Sequence, residues 1–245
     1  MNCKLCGEDR KLIKAHVVPA AFFAKNGNDS AFESFLHTVD SNGHAKRAPA
    51  GIYDKELLCH ACEQRFQCWD EYGARLLVKE FDRFVPVLRD GKPMAWRLDE
   101  YDYHLLKLFI IGVLWRASAS THIYFRDTRL GPFEVVAKQA VLNADPGDPN
   151  LFATVMVRWH SDSVPEYQSQ MHLSPYKDRI DGVNVLRIYM GEYIAYVKVD
   201  KRPYSDAFSF FQLSDQIPLV ITARDLDVSD EFNETNVLLI ERGYR

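Results

Sequence analysis

The chain has 245 residues, of which 47% are hydrophobic and 13% aromatic, so it can bury a sizeable core in one large or two smaller domains. This composition excludes a disordered or fibrous protein. The formal net charge of −4 and the pI near 6.1 argue against a protein that binds nucleic acid by neutralising phosphates over its whole surface. The acidic excess lies after residue 100, so a phosphate-facing surface is expected in the first part of the chain.

The N-terminal segment, residues 1–14, carries lysines, acids and cysteines where a secretory signal needs an apolar run. We therefore expect the protein in the reducing cytoplasm, where thiols bind metals rather than form disulfides. The longest apolar stretch, Leu105–Trp115, contains Lys107 and is too short to cross a bilayer. No membrane partner is expected.

In the first part of the chain, the sequence predicts an extended stretch over Lys11–Val18 and a polar loop over Asn26–Arg47. A helix is predicted to follow Cys59 and to run to about Phe81, because apolar residues recur every three to four positions after Cys62. We interpret this stripe as core packing. Its members are Phe66, Trp69, Tyr72, Leu76 and Leu77.

The middle of the chain predicts a buried helix over Tyr103–Ala119, apolar on nearly all sides, and a shorter helix from Pro132 to about Leu142. After the turn-forming residues 144–150, β-branched and aromatic runs predict a sheet. Met190, Gly191 and Glu192 predict a tight antiparallel hairpin. The predicted strands are Leu151–Trp159, Val183–Tyr189, Tyr193–Val199, Ile217–Ala223 and Val237–Ile240.

These elements predict the α+β class. A module over residues 1–81, which contains all five cysteines, precedes an α+β domain over residues 82–245, which is helical to about residue 143 and forms strands from about residue 151. The sheet of this second domain is predicted to be mostly antiparallel.

Two Cys-x-x-Cys pairs are the strongest chemical signal: Cys3 with Cys6, and Cys59 with Cys62. Each pair brings two sulfurs within reach of one ion, and two pairs supply the four ligands of a tetrahedral zinc. The sequence therefore predicts a structural Zn²⁺ site, with a redox-active dithiol as the alternative. Cys68 is left over, and we interpret it as a buried or partly buried helix thiol rather than a ligand.

Two phrases near the cysteines carry a further signal. They are Lys14-Ala15-His16-Val17-Val18-Pro19 and Asp54-Lys55-Glu56-Leu57-Leu58-Cys59-His60-Ala61-Cys62-Glu63. Together with the cysteines, they resemble the HNH endonuclease motif in order and spacing, over residues 1–70. In that family a treble-clef zinc, or its metal-free equivalent, holds a ββα finger whose first strand carries a histidine.

The resemblance implies that the four paired cysteines hold the zinc and that His16 is the general base of phosphodiester hydrolysis. It places Asp54 at the usual asparagine and Glu63 at the final histidine, which binds the catalytic metal. Glu63 would hold Mg²⁺ or Mn²⁺, with Asp54 as a second ligand. Ala15 falls on a usual metal ligand and can contribute nothing.

Each of these side chains also has a plainer interpretation. His16 would be a packed or capping residue, Glu63 a favourable acid in the first turn of a helix, and Asp54 a turn or cap residue. His60, inside the second cysteine pair, is a fallback zinc ligand. The basic stretch His44–Arg47 would contact phosphate or be a solvated loop.

The resemblance thus implies an HNH-like endonuclease that hydrolyses DNA in a bacterial or phage defence setting. The alternative is a treble-clef module without catalysis that binds nucleic acid or a protein, favoured by Ala15 and by the acidic net charge. No nucleophile–base pair or phosphate-binding glycine loop is evident after residue 81. That part is expected to select a target, a protein partner or a second copy of the chain.

Overall fold

The computed structural model describes residues 1–23, 37–39, 45–47, 51–163 and 171–233, and in this part the fold is mixed α+β, as the sequence predicts. The first segment contains four short strands: β1 (Ala15–His16), β2 (His37–Val39), β3 (Ala45–Arg47) and β4 (Tyr53–Asp54). β1 pairs with β4, and β2 pairs with β3, both antiparallel. The predicted loop over Asn26–Arg47 lies largely outside the described residues, but its described pieces are strands, so the loop prediction is wrong there.

The predicted helices are present with nearly the predicted bounds. They are α1 (His60–Glu63), α2 (Gln67–Ala74), α3 (Tyr103–Ala119) and α4 (Phe133–Asn143), whereas the short α5 (Asp206–Ser209) was not predicted. A 3₁₀ turn joins α1 to α2 and a π-helical turn extends α2 to Lys79, so the helical run after Cys59 is nearly continuous. The side chain of Asp102 caps α3 by accepting a 2.9 Å hydrogen bond from the N–H of Leu105. No helix in the described part of the chain is long and apolar enough to span a membrane.

The remaining strands are β5 (Val85–Arg89), β6 (Lys92–Leu98), β7 (Thr154–His160), β8 (Met171–Leu173), β9 (Tyr176–Ile180), β10 (Val183–Met190), β11 (Tyr193–Lys198) and β12 (Leu219–Asp225). Seven of them form one sheet in the order β5-β6-β12-β7-β11-β10-β9. Every pair is antiparallel except β12 with β7. The prediction of a mostly antiparallel sheet is confirmed, and β10 and β11 form the predicted hairpin, with Met190 opposite Tyr193.

Four of the predicted strands are confirmed with bounds shifted by a few residues, whereas Val237–Ile240 lies outside the described residues. The hairpin of β5 and β6 was not predicted, so the description of residues 82–143 as helical is wrong for this stretch. Asp90 and Gly91 form its turn with φ of +51° and +79°, the left-handed conformation that a two-residue hairpin requires. Both strands join the sheet that the later strands form.

One hydrophobic core contains residues from both sides of the domain boundary predicted at residues 81/82. Helix α3 runs through its centre. The ring of Phe66 stacks on Trp115 at 6.1 Å, and the ring of Phe22 stacks on Phe109 at 5.6 Å. The N-terminal segment and α3 therefore share one packed interior, and α3 can position residues of the first segment.

Lys107 lies in α3 with its side chain fully buried, and its Nζ donates to the carbonyl oxygen of Phe152 at 2.7 Å. Burial lowers the pKa of Lys107 to about 7; nearby Lys198 lowers it further, whereas Asp148 opposes the shift. An unfolded lysine has a pKa of about 10.4, so between these values the unfolded state holds a proton that the folded state lacks. Stability linked to Lys107 therefore rises with pH above about 7.

The free energies of unfolding of the parent and of Lys107→Met should depend differently on pH. We expect the difference, parent minus variant, to rise by up to about 1.4 kcal/mol per pH unit between about pH 7 and 9. Urea unfolding at several pH values measures this difference. The exposed Lys177→Met variant is the control, and its difference from the parent should stay flat. A flat difference for Lys107→Met as well would show that this amine stays charged in the folded protein.

Candidate metal centre and the His16 site

Four cysteine sulfurs converge on one point, with all pairs within 4.8 Å of one another, which suits the ligand shell of a single ion. They belong to Cys3, Cys6, Cys59 and Cys62. No other group of three or more metal-ligating side chains is found in the part of the chain that the structure describes. Cys68 lies outside the group, as predicted, but it is exposed, so the prediction of a buried or partly buried thiol is wrong.

Backbone hydrogen bonds bring the two cysteine pairs together. Gly7, with φ of +77°, donates its N–H to the carbonyl oxygen of Cys3 at 2.8 Å and closes the first turn. Lys4 donates its N–H to the carbonyl oxygen of Leu57 at 2.9 Å, and Cys59 donates its N–H to Sγ of Cys3 at 3.4 Å. The second pair is thus tied to the first by contacts that do not involve a metal.

The thiols in this cluster differ in how readily they ionise. Burial opposes ionisation of Cys3, but hydrogen bonds from the backbone of Cys6 and Cys59 prevail and lower its pKa to about 7. Burial, together with the neighbouring thiols, raises the pKa of Cys62. Adjacent thiolates repel one another, and a bound cation supplies the compensating charge. The cluster can therefore hold a metal ion.

His16 lies on the two-stranded ribbon of β1 and β4, opposite Tyr53, with the two ring centroids 6.2 Å apart. The Nζ of Lys14 lies 5.3 Å from the centroid of the same tyrosine ring. The next pair of the ribbon is Ala15 with Asp54. Because facing residues share a side of the ribbon and successive residues alternate, Asp54 projects away from His16.

The contacts of Asp54 explain its orientation. Its buried carboxylate accepts hydrogen bonds from the hydroxyl of Ser120 at 2.7 Å and from the N–H groups of Thr121 at 2.6 Å and Glu56 at 2.7 Å. Burial opposes ionisation, but these hydrogen bonds prevail and lower the pKa of Asp54. These contacts fit the alternative of a turn residue, and the structure does not bring Asp54 to His16 as a second metal ligand.

Glu63, the last residue of α1, does adjoin His16. Its half-buried carboxylate accepts a hydrogen bond from the backbone N–H of His16, and its Oε2 atom is buried without a hydrogen-bond partner. Burial raises the pKa of Glu63, whereas the nearby guanidinium of Arg116 opposes the shift. A buried carboxylate oxygen is costly to leave unpaired, so this atom is suited to a cation or a water molecule.

Arg116 is the residue of this region that the sequence did not identify. Its fully buried guanidinium binds both oxygens of Asp70, at 2.7 and 2.6 Å, and donates to the carbonyl oxygen of His16 at 3.1 Å. It also lies 4.5 Å from the ring centroid of Phe66. The available signal was an arginine inside a predominantly apolar helix, because such a charge needs a partner.

The residues around His16 offer few ligands for a divalent ion. Glu63 offers one free carboxylate oxygen, Ala15 offers no ligand, and Asp54 is on the other side of the ribbon. Mg²⁺ commonly keeps several waters and uses one or two carboxylates together with the phosphates of its substrate. His60, one turn earlier on α1, is exposed and lies outside the cysteine cluster.

In the described geometry, a ribbon of two strands is followed by a helix, and His16 lies on the first strand of the ribbon. No family model matches the chain, and no curated protein or solved structure matches it either.

Proposed function

We propose that the protein is a zinc-stapled, HNH-type nuclease that hydrolyses DNA phosphodiesters at His16 and Glu63. The observation that carries the proposal is the unpartnered buried Oε2 of Glu63, on the carboxylate that binds the backbone of His16. A carboxylate oxygen that can hold a metal ion, on a side chain hydrogen-bonded to the backbone of a histidine, supplies two groups that metal-assisted hydrolysis uses.

The four-cysteine cluster holds Zn²⁺ in a structural role, in a treble-clef arrangement. Four sulfurs leave no ligand position for water or substrate, which is typical of structural zinc sites. The zinc fixes the start of α1, and Glu63 follows the last cysteine ligand directly. The metal thereby orients the helix that presents Glu63.

His16 accepts a proton from the attacking water, since a neutral imidazole is suited to proton transfer near neutral pH. Glu63 would hold a Mg²⁺ or Mn²⁺ ion in part, and such an ion would supply positive charge for the scissile phosphate and the leaving oxygen. Lys14, exposed beside Tyr53, adds a positive charge on the same ribbon for the substrate phosphate.

We expect His16→Ala to lower the rate of DNA cleavage by about 10²- to 10⁴-fold, the usual contribution of a general base. Zinc-loaded protein is incubated with plasmid and single-stranded DNA in Mg²⁺ and in Mn²⁺. His104→Ala, an exposed histidine at the start of α3, is the matched control and should cleave like the parent. Cleavage that survives in His16→Ala would contradict the assignment of the base.

A second candidate function is a binding module without catalysis, with nucleic acid or a protein as its partner. It is favoured by the small ligand set, because Ala15 offers no ligand and Asp54 is occupied by Ser120 and Thr121. A protein partner or a second copy would then bind through the C-terminal part. A zinc-loaded parent that binds DNA in a gel-shift experiment but does not cleave it would favour this function.

A further inference from the structure

The backbone of His16 is held by side chains from two helices. Its N–H donates to the carboxylate of Glu63 on α1, and its carbonyl oxygen accepts from the guanidinium of Arg116 on α3. In a strand, the N–H and C=O of one residue point to the same side. Both groups of His16 therefore face away from β4 and toward the helices.

This support matters because the ribbon of β1 and β4 has only two residue pairs. A two-stranded ribbon is marginally stable by itself in water. Besides the buried neighbours Ala15 and Val17, the groups that bind its outer edge therefore help to fix the position of the His16 backbone. Of the two contacts described above, Glu63 is also the proposed metal ligand, whereas Arg116 is not.

Arg116 is itself fixed in one orientation. Two of its nitrogens bind Asp70 on α2, a third donates to the carbonyl oxygen of Gly112 at 3.2 Å, and the guanidinium lies over the ring of Phe66. A bidentate arginine–carboxylate pair is geometrically specific. The guanidinium thus presents its Nη1 to His16 from a rigid frame built by α2 and α3.

We propose that Arg116, oriented by Asp70, is a positioning residue for His16. It fixes β1 relative to α1, so that the imidazole of His16 and the free oxygen of Glu63 keep one geometry. As a statement about catalysis this proposal rests on the proposed function, whereas the placement of His16 can be measured without any cleavage.

The competing explanation is an ion pair that only joins α2 to α3. Three variants separate the two explanations: Arg116→Met and Asp70→Asn remove the bidentate pair, and Arg116→Lys keeps the charge without the planar donor geometry. Arg187→Met is the matched control. It breaks the ion pairs of another largely buried arginine, with Glu231 and Asp178, in the large sheet.

The experiment records ¹H–¹⁵N correlations of the imidazole nitrogens in the zinc-loaded protein, with His16 assigned from the spectrum of His16→Ala. We expect Arg116→Met and Asp70→Asn to shift or split the His16 signals, with Arg116→Lys giving a smaller change. Arg187→Met should leave the His16 signals as in the parent. If the His16 signals are unchanged in Asp70→Asn and in a folded Arg116→Met, the proposal is overturned. If Arg116→Met does not fold, the His16 signals of Asp70→Asn alone decide whether the proposal stands.

DNA cleavage provides the second readout. Misplacement of a catalytic group by about 1 Å can cost about 10²-fold in rate, so we expect kcat of Asp70→Asn to fall by about 10- to 100-fold, with KM for DNA nearly unchanged. Arg187→Met should keep the parental kcat. A parent that does not cleave would refute the proposed nuclease function, while the imidazole signals would still decide whether Arg116 positions His16.

Discussion

We expect Cys59→Ser to lose stoichiometric zinc and to unfold the segment that carries β1, β4 and α1. Structural zinc sites contribute an apparent binding free energy of about 10–16 kcal/mol, which is comparable to the whole stability of a typical domain at about 5–15 kcal/mol. Cys59 is buried and its sulfur lies within 4.8 Å of the other three, so the substitution removes one of the four ligands that join the two cysteine pairs. Zinc content by atomic absorption and thermal unfolding by circular dichroism measure the two effects.

Cys68→Ser is the matched control, because this cysteine is exposed and lies outside the cluster. It should bind one zinc per chain and keep the parental stability within about 0.5 kcal/mol. Full zinc occupancy and parental stability in Cys59→Ser would contradict the structural role. A disulfide within either cysteine pair of the metal-free protein, detected by mass spectrometry, would instead support the redox dithiol.

We expect Phe66→Ala to destabilise the whole chain by about 3–5 kcal/mol, the usual cost of truncating a buried phenylalanine. Phe66 is 1% exposed, stacks on Trp115 and packs edge-on against Trp69 at 5.8 Å. The guanidinium of Arg116 also lies over its ring, 4.5 Å from the ring centroid. Because the contacts of Phe66 with Trp115 and Arg116 cross the predicted boundary at residues 81/82, urea unfolding monitored by tryptophan fluorescence should shift as one transition.

Phe210→Ala is the control for the same chemical change at a surface position, because Phe210 is 68% exposed. Its free energy of unfolding should lie within about 0.5 kcal/mol of the parental value. Two separate transitions, of which only one moves in Phe66→Ala, would indicate two independently folding units and would support the boundary predicted from the sequence.

The elements that the sequence predicted well are those with a strong local pattern. Helix α3 has the predicted bounds, because an apolar run with helical period and a capping Asp102 specify it without tertiary information. The hairpin of β10 and β11 follows from β-branched and aromatic runs around Gly191. The cysteine cluster follows from pair spacing, since each Cys-x-x-Cys prepares half of a site.

The hairpin of β5 and β6 escaped prediction although Asp90-Gly91 is a strong turn signal. All five residues of β5 are exposed, so this edge strand lacks the alternation of buried and exposed positions that identifies a strand. The parallel pairing of β12 with β7 was equally unpredictable, because it joins strands that are far apart along the chain.

The sequence alone determined which donor atoms are available: four cysteine sulfurs in two pairs, an imidazole at His16 and a carboxylate at Glu63. Only the tertiary structure decided their partners. Asp54 faces away from His16 because of the register between β1 and β4. A shift of one residue in this register would have placed the Asp54 side chain on the opposite face of the ribbon. Arg116 reaches His16 across 100 residues, since long-range packing of α3 against the first segment, and not local pattern, places that guanidinium.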